Sequence, residues 1–89
     1  MSENPIRCII TDDEPLARKG LQRYVERTGF LDLVAVCENA LDLTETLKRQ
    51  SADLLFLDIE MPHLNGIDFL KSLPFSPGVI FTTAYEKFA

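Results

Sequence analysis

Apolar and polar positions along this chain follow two alternating rhythms. Ile6-Arg7-Cys8-Ile9-Ile10-Thr11 is a short run of β-favouring residues and reads as a first strand. Leu16, Ala17, Gly20, Leu21, Tyr24 and Val25 then recur at helical spacing, which predicts an amphipathic helix from about residue 15 to residue 27. Pro15 suits the first turn of that helix, Asp13 or Glu14 can cap it, and Gly29 marks its end. Leu31 to Cys37 is a second apolar run, rich in Val and Leu. Asn39 can cap a second helix with the stripe Ala40, Leu43, Thr44 and Leu47. Asp53-Leu54-Leu55-Phe56-Leu57-Asp58 reads as a third strand. Its central apolar residues do not alternate with polar ones, so both faces are covered, as in parallel sheets. A short third helix after Asn65-Gly66 carries Gly66, Phe69, Leu70 and Leu73 on its core side, and Pro74, Pro77 and Gly78 break it. Val79-Ile80-Phe81-Thr82 is a fourth strand, and Tyr85 to Ala89 reads as the start of a further helix.

The order β-α-β-α-β-α-β with short connections predicts an α/β fold: a doubly wound parallel sheet with right-handed crossovers and helices on both faces. With 89 residues there is room for one domain, and 46% hydrophobic with 26% charged residues is ordinary for a globular chain. Several functions drop out. The longest purely apolar runs, Leu33 to Cys37 and Leu54 to Leu57, fall far short of the roughly 20 residues a membrane span needs. Met1-Ser2-Glu3-Asn4-Pro5 has no basic start and no apolar stretch, so it is no secretory signal. Cys8 and Cys37 lie inside apolar runs without Cys-x-x-Cys spacing, as reduced buried thiols of a cytoplasmic protein would. The formal charge of −5 argues against this segment gripping a phosphate backbone, and no glycine-rich nucleotide loop is present.

Open α/β sheets bind ligands at the carboxyl ends of their strands. The first strand ends on Thr11-Asp12-Asp13-Glu14, the third on Asp58 and the fourth on Thr82-Thr83. First and third strands are neighbours in such sheets, so Asp12, Asp13 and Asp58 should converge. Three close carboxylates must hold a proton or a cation. An all-oxygen set suits Mg²⁺, and with no His or Cys in the cluster zinc is disfavoured. A carboxylate beside Mg²⁺ can itself be the nucleophile that forms an aspartyl phosphate. A hydroxyl of Thr82 or Thr83 could then bond a phosphoryl oxygen.

Asp12-Asp13-Glu14-Pro15, the run Leu54 to Asp58, Met61-Pro62-His63-Leu64-Asn65-Gly66 and Phe81-Thr82-Thr83-Ala84 together resemble the receiver domain of bacterial two-component response regulators. The resemblance runs the whole length of the chain. It implies a flavodoxin-like sheet of the receiver type in the strand order 2-1-3-4. It implies that Asp58 accepts a phosphoryl group from a sensor histidine kinase or a small phosphodonor. Asp13 then matches the direct metal ligand, Asp12 the second acid, and Glu60 the backbone carbonyl at the metal. Thr83, placed before Ala84, matches the switch hydroxyl, and Pro62 and Gly66 shape the loop after the acceptor. Arg18 and its neighbours lie on the helix that receivers offer to the kinase. Thr83-Ala84-Tyr85 and the stretch Asp13 to Arg18 look like regulators that carry a LytTR-type DNA-binding domain.

Receivers continue into a fifth strand and helix, with a Lys at the end of that strand, and Lys87 is not that residue. The chain is therefore expected to be a receiver truncated after its fourth strand. The face formed by Leu16, Leu21 and Tyr24 should then be partly bare and the fourth strand an open edge. Both favour self-association, possibly as a domain-swapped dimer. The expected activity is that of a switch, not a metabolic enzyme. A pseudo-receiver that binds partners without phosphorylation is the main alternative. A haloacid-dehalogenase-type phosphatase is disfavoured, because its Asp-x-Asp follows the first strand. Several residues have plain structural readings: His63 as a solvated side chain, Arg18, Lys19, Arg23 and Arg27 as a solvated helix face, Asp53 as a strand boundary, and Phe69-Leu70-Leu73 as core.

Overall fold

A computed structural model of the chain describes residues 4–61 and 66–82. The elements run β1 (Ile6–Thr11), α1 (Pro15–Glu26), β2 (Leu31–Cys37), α2 (Ala40–Arg49), β3 (Leu54–Asp58), α3 (Gly66–Lys71) and β4 (Gly78–Thr82). The strands form one parallel sheet, as the pattern predicts, in the order β2-β1-β3-β4 that the resemblance implies. Tyr85 to Ala89, expected to start a helix, lie outside the described residues, as do Pro62, His63 and Asn65.

The sheet is covered on both sides, so β1 and β3 have no solvent face. Cys8, Ile10 and Phe56 pack with Val25 of α1 on one side. Ile9, Leu55 and Leu57 pack with Leu43 of α2 on the other, where Phe69 and Leu70 of α3 also lie. This two-sided burial is why Leu54 to Leu57 reads as an unbroken apolar run.

Helix boundaries follow local chemistry. Pro15 is the first helical residue of α1, and the Glu14 side chain accepts the Leu16 N–H as cap. The helix ends at Glu26 with Arg27 as its cap, in line with the expected end at about residue 27. Asn39 caps α2 through Oδ1, which accepts the Asp42 N–H at 2.7 Å. Leu73 lies beyond the end of α3, although it still packs on the core.

Two features of the helices and sheet bear on the sequence pattern. The first, on α1, agrees with the expectation of a partly bare face: Val25 is buried and Leu21 half-buried, while Leu16 and Tyr24 are 76% and 72% exposed. Residues 17, 21 and 25 form one i, i+4 row over the sheet, and 16, 20 and 24 form the next row, rotated onto the flank. The second is a bulge. Cys8 pairs with Leu33 but Ile9 with Ala35, so Val34 is an extra residue in β2. It switches the faces: Leu31 and Leu33 pack on the α1 side, Ala35 and Cys37 on the α2 side. The Val34 carbonyl accepts from Gln50 Nε2 at 3.4 Å, and Gln50 Oε1 accepts from Arg7 Nη2 at 3.4 Å.

Candidate functional site

The strand register places the acids. Ile10 pairs with Phe56 and Thr11 with Leu57, so one further step along both strands sets Asp12 beside Asp58. Side chains alternate along a strand, so both carboxylates emerge on the side of Ile10 and Phe56. Adjacent strands are about 4.8 Å apart, which brings like charges into contact distance. Carboxylate oxygens of Asp12, Asp13 and Asp58 do lie within 4.8 Å of one another.

Asp12 and Asp58 are held by the same device. Asp12 Oδ1 accepts the Glu14 N–H at 2.8 Å, and Asp58 Oδ1 accepts the Glu60 N–H at 2.9 Å. Each is an Asx turn, in which a side chain bonds the backbone two residues on. Both residues are buried, at 3% and 2% exposure, whereas Asp13 is exposed. Burial, with the Asp58 and Asp13 carboxylates beside it, pushes the Asp12 carboxyl up to about 6, against the pull of the Glu14 N–H.

This donor set fits a hard divalent cation. All donors are carboxylate oxygens, and two of the three acids are withdrawn from water. Among the described residues no Lys or Arg lies within ion-pair distance of them. A bound cation would relieve the repulsion that otherwise favours a shared proton.

Glu60 is exposed and adjoins the trio through its N–H on Asp58. Thr83, expected as the switch hydroxyl, lies outside the described residues. Its neighbour Thr82 pairs with Asp58 in the register, and its carbonyl accepts the Ile59 N–H at 3.0 Å. The Thr82 hydroxyl is buried and has no hydrogen-bond partner among the described residues.

Arg18 was expected only on an outward helix face. It is half-buried, and its Nη1 donates to the Asp12 carbonyl at 2.7 Å. Spacing alone does not reveal that contact, because a long side chain reaching back six residues leaves no periodic signal. Lys19, Arg23 and Arg27 are exposed as expected.

A parallel sheet of order 2-1-3-4, with three acids gathered at the carboxyl ends of its first and third strands, defines a doubly wound α/β domain with an acidic cluster at the end where such sheets bind ligands. Comparison narrows it. The sequence model of the response regulator receiver domain matches residues 8–89, and the chain belongs to that family. An uncharacterized response regulatory protein of Yersinia pestis is 40% identical over 86 residues, covering 94% of this chain and 36% of its own length. The sensory transduction protein LytR of Staphylococcus epidermidis is 39% identical over 87 residues, covering 94% of this chain and 34% of LytR. Among solved structures, RcsB from Salmonella enterica serovar Typhimurium, bound to promoter rprA in the presence of the phosphomimetic BeF3-, superposes with a TM-score of 0.77. It is 28% identical, and the match covers 90% of this chain and 43% of RcsB. The chain thus spans about a third of the curated relatives it matches. Among the described residues no helix is long and apolar enough to cross a membrane.

Proposed function

We propose that this receiver domain is a phosphorylation-dependent switch with Asp58 as its phosphoacceptor. The observation that carries the reading is the buried Asp12–Asp58 pair, with Asp13 completing the trio within 4.8 Å, in a chain of the receiver family. An Asp58 carboxylate oxygen attacks the phosphorus of a phosphohistidine on a sensor kinase, or of a small phosphodonor. The P–O bond forms as the P–N or P–O bond to the donor breaks, and the leaving group departs with the electron pair.

Asp13 and Asp58 would hold Mg²⁺ directly, with Asp12 and the Glu60 carbonyl completing the protein's share. When bound, Mg²⁺ neutralises charge on the carboxylates and on the incoming phosphoryl oxygens. The Glu60 N–H keeps one Asp58 oxygen occupied, which orients the other for attack. Thr83 is assigned the switch hydroxyl. The phosphoryl group adds about −1.5 to −2 charge at neutral pH, enough to bias an existing equilibrium around β4.

The chain acts as a cytoplasmic signalling switch and not as a metabolic enzyme. In the whole protein it would control transcription through a LytTR-type DNA-binding output domain. The likeness to LytR and the Asp13 to Arg18 stretch support that subfamily. The promoter-bound state of RcsB supports DNA as the final target. Self-association belongs to the same reading, because Ile80 and Phe81 on β4 are 46% and 45% exposed. A pseudo-receiver role is less well supported, since it would leave the acidic trio without a task.

The deciding experiment is intact-mass spectrometry after incubation with Mg²⁺ and acetyl phosphate, with Asp58→Asn alongside. A phosphoryl adduct on the parent alone is the expected result. An adduct on both would move the acceptor elsewhere, and an adduct on neither would favour the pseudo-receiver.

A further inference from the structure

The trio raises a question of aim. Asp12 and Asp58 each have a backbone N–H that orients the carboxylate. The Asp13 carboxylate is exposed and has no hydrogen-bond partner among the described residues. Its direction must therefore come from the backbone that carries it.

That backbone is gripped by Arg18. The Arg18 N–H bonds the Glu14 carbonyl at 3.0 Å, so its main chain is fixed on α1. Its guanidinium turns back across six residues to the Asp12 carbonyl, at 2.7 Å. The Asp12 carbonyl belongs to the planar peptide group that joins Asp12 to Asp13. Holding that oxygen fixes the rotation of the peptide plane and hence the direction in which Asp13 leaves it. Asp12 is thereby pinned at three atoms: its N–H on the Cys37 carbonyl at 3.2 Å, its carboxylate on the Glu14 N–H, and its carbonyl on Arg18.

The choice of acceptor matters. A guanidinium this close to three acids would gain more from a bidentate carboxylate pair than from a neutral carbonyl. Such a pair would occupy the oxygens that a cation needs. The contact with the carbonyl holds the loop and leaves the carboxylates available. The position is otherwise poor for a cation, because the amino-terminal turn of a helix favours negative charge.

We propose that Arg18 is a positioning residue: it locks the Asp12–Asp13 peptide plane so that both carboxylates face one divalent cation, and so sets the affinity for that cation. This inference rests on reading the trio as a cation site, and its test separates the two.

The test is Mn²⁺ binding to the 89-residue chain, followed by the electron paramagnetic resonance signal of free Mn²⁺. Residues that orient metal ligands change affinity by about 10- to 100-fold when removed. Arg18→Ala should weaken Mn²⁺ binding by about tenfold, and Arg18→Lys, which keeps one donor of similar reach, should recover part of it. The Mg²⁺ concentration for half-maximal acetyl phosphate labelling should rise by the same factor, with the labelling yield at saturating Mg²⁺ unchanged. Parental Mn²⁺ affinity in a folded Arg18→Ala chain overturns the proposal, even if its melting temperature has fallen, and makes Arg18 a helix anchor. Should Arg18→Ala not fold, Arg18→Gln, which is too short to reach, serves in its place under the same criteria. A parent chain that binds no Mn²⁺ overturns the cation-site reading, and the role of Arg18 with it.

Discussion

Asp53 and Asp58 flank the same short strand, and the fold treats them in opposite ways. At the amino end of β3, Asp53 is exposed and fully engaged. Its Oδ2 accepts the Arg7 N–H at 3.0 Å, its N–H donates to the Arg7 carbonyl at 2.8 Å, and its carbonyl accepts the Gly78 N–H at 2.9 Å. It ties β1, β3 and β4 together beside the Arg7–Gln50 contacts that hold the β2 bulge. At the carboxyl end, Asp58 is buried next to two like charges and, among the described residues, its side chain receives a single N–H, from Glu60. One end of the strand has its polar groups matched, and the other leaves negative charge in excess. Buried charge without a partner is costly. Where a fold retains it, an external positive partner is the natural complement, and the proposed divalent cation would supply it.

The largest effect expected from this contrast is stabilisation by Mg²⁺. A ligand that binds only the folded chain at 100 times its dissociation constant adds about 2.7 kcal/mol. Urea denaturation with and without Mg²⁺ at pH 7.5 should show a gain of that order. The gain should vanish in Asp58→Asn and in Asp13→Asn. A gain that survives both substitutions would place the cation away from the trio.

The next effect is a pH dependence, somewhat smaller, and its sign follows from Asp12. Its carboxyl is pushed up to about 6 in the folded chain, against an unfolded value of about 3.9. Below pH 4 both states are protonated and the site imposes no penalty. Between about pH 4 and pH 6 the folded state binds more protons than the unfolded one, so stability falls as pH rises. Metal-free Asp12→Asn should match the parent near pH 4 and exceed it by about 1–2 kcal/mol at pH 7. Protons also compete with the cation, so Mg²⁺ affinity at pH 5 should be about tenfold weaker than at pH 7.5. A stability difference between Asp12→Asn and the parent that does not change with pH would remove the repulsion from the argument.

The two ends also differ in how legible they are in the sequence. The acidic end is readable because uninterrupted apolar runs stop at Asp12 and Asp58, and because period two with an in-register neighbour forces side chains of like parity together. The strand order is legible only through the resemblance to receivers. The bulge at Val34 was not readable: Leu33 to Cys37 is apolar throughout, so no polar alternation exists there for an extra residue to disturb. Helical spacing alone also does not tell which row of α1 lies over the sheet, since two adjacent i, i+4 rows of a helix carry the same spacing. The contacts of Arg7 with the Ser51 carbonyl and of Arg18 with the Asp12 carbonyl leave no sequence signal for a third reason: long side chains make them to backbone, and any residue can supply a carbonyl. The sequence marks the chemistry of this site better than it marks what holds the site in place.

The smallest predicted effect tests whether the two ends are independent. Asp53→Ala removes the acceptor of the Arg7 N–H while leaving the backbone bonds of residue 53 in place. A typical intramolecular hydrogen bond contributes about 0.5–1.5 kcal/mol, and at this exposed position water can partly replace the lost partner. The expected cost is therefore about 1 kcal/mol or less in urea denaturation, with Mn²⁺ affinity unchanged. Asp58 lies at the far end of a strand whose intervening residues Leu55, Phe56 and Leu57 are packed on both sides. Such packing should confine a small displacement at the amino end. If Asp53→Ala instead weakened Mn²⁺ binding severalfold, β3 would be transmitting strain from one end to the other. The matched end would then be part of the device that aims the unmatched one.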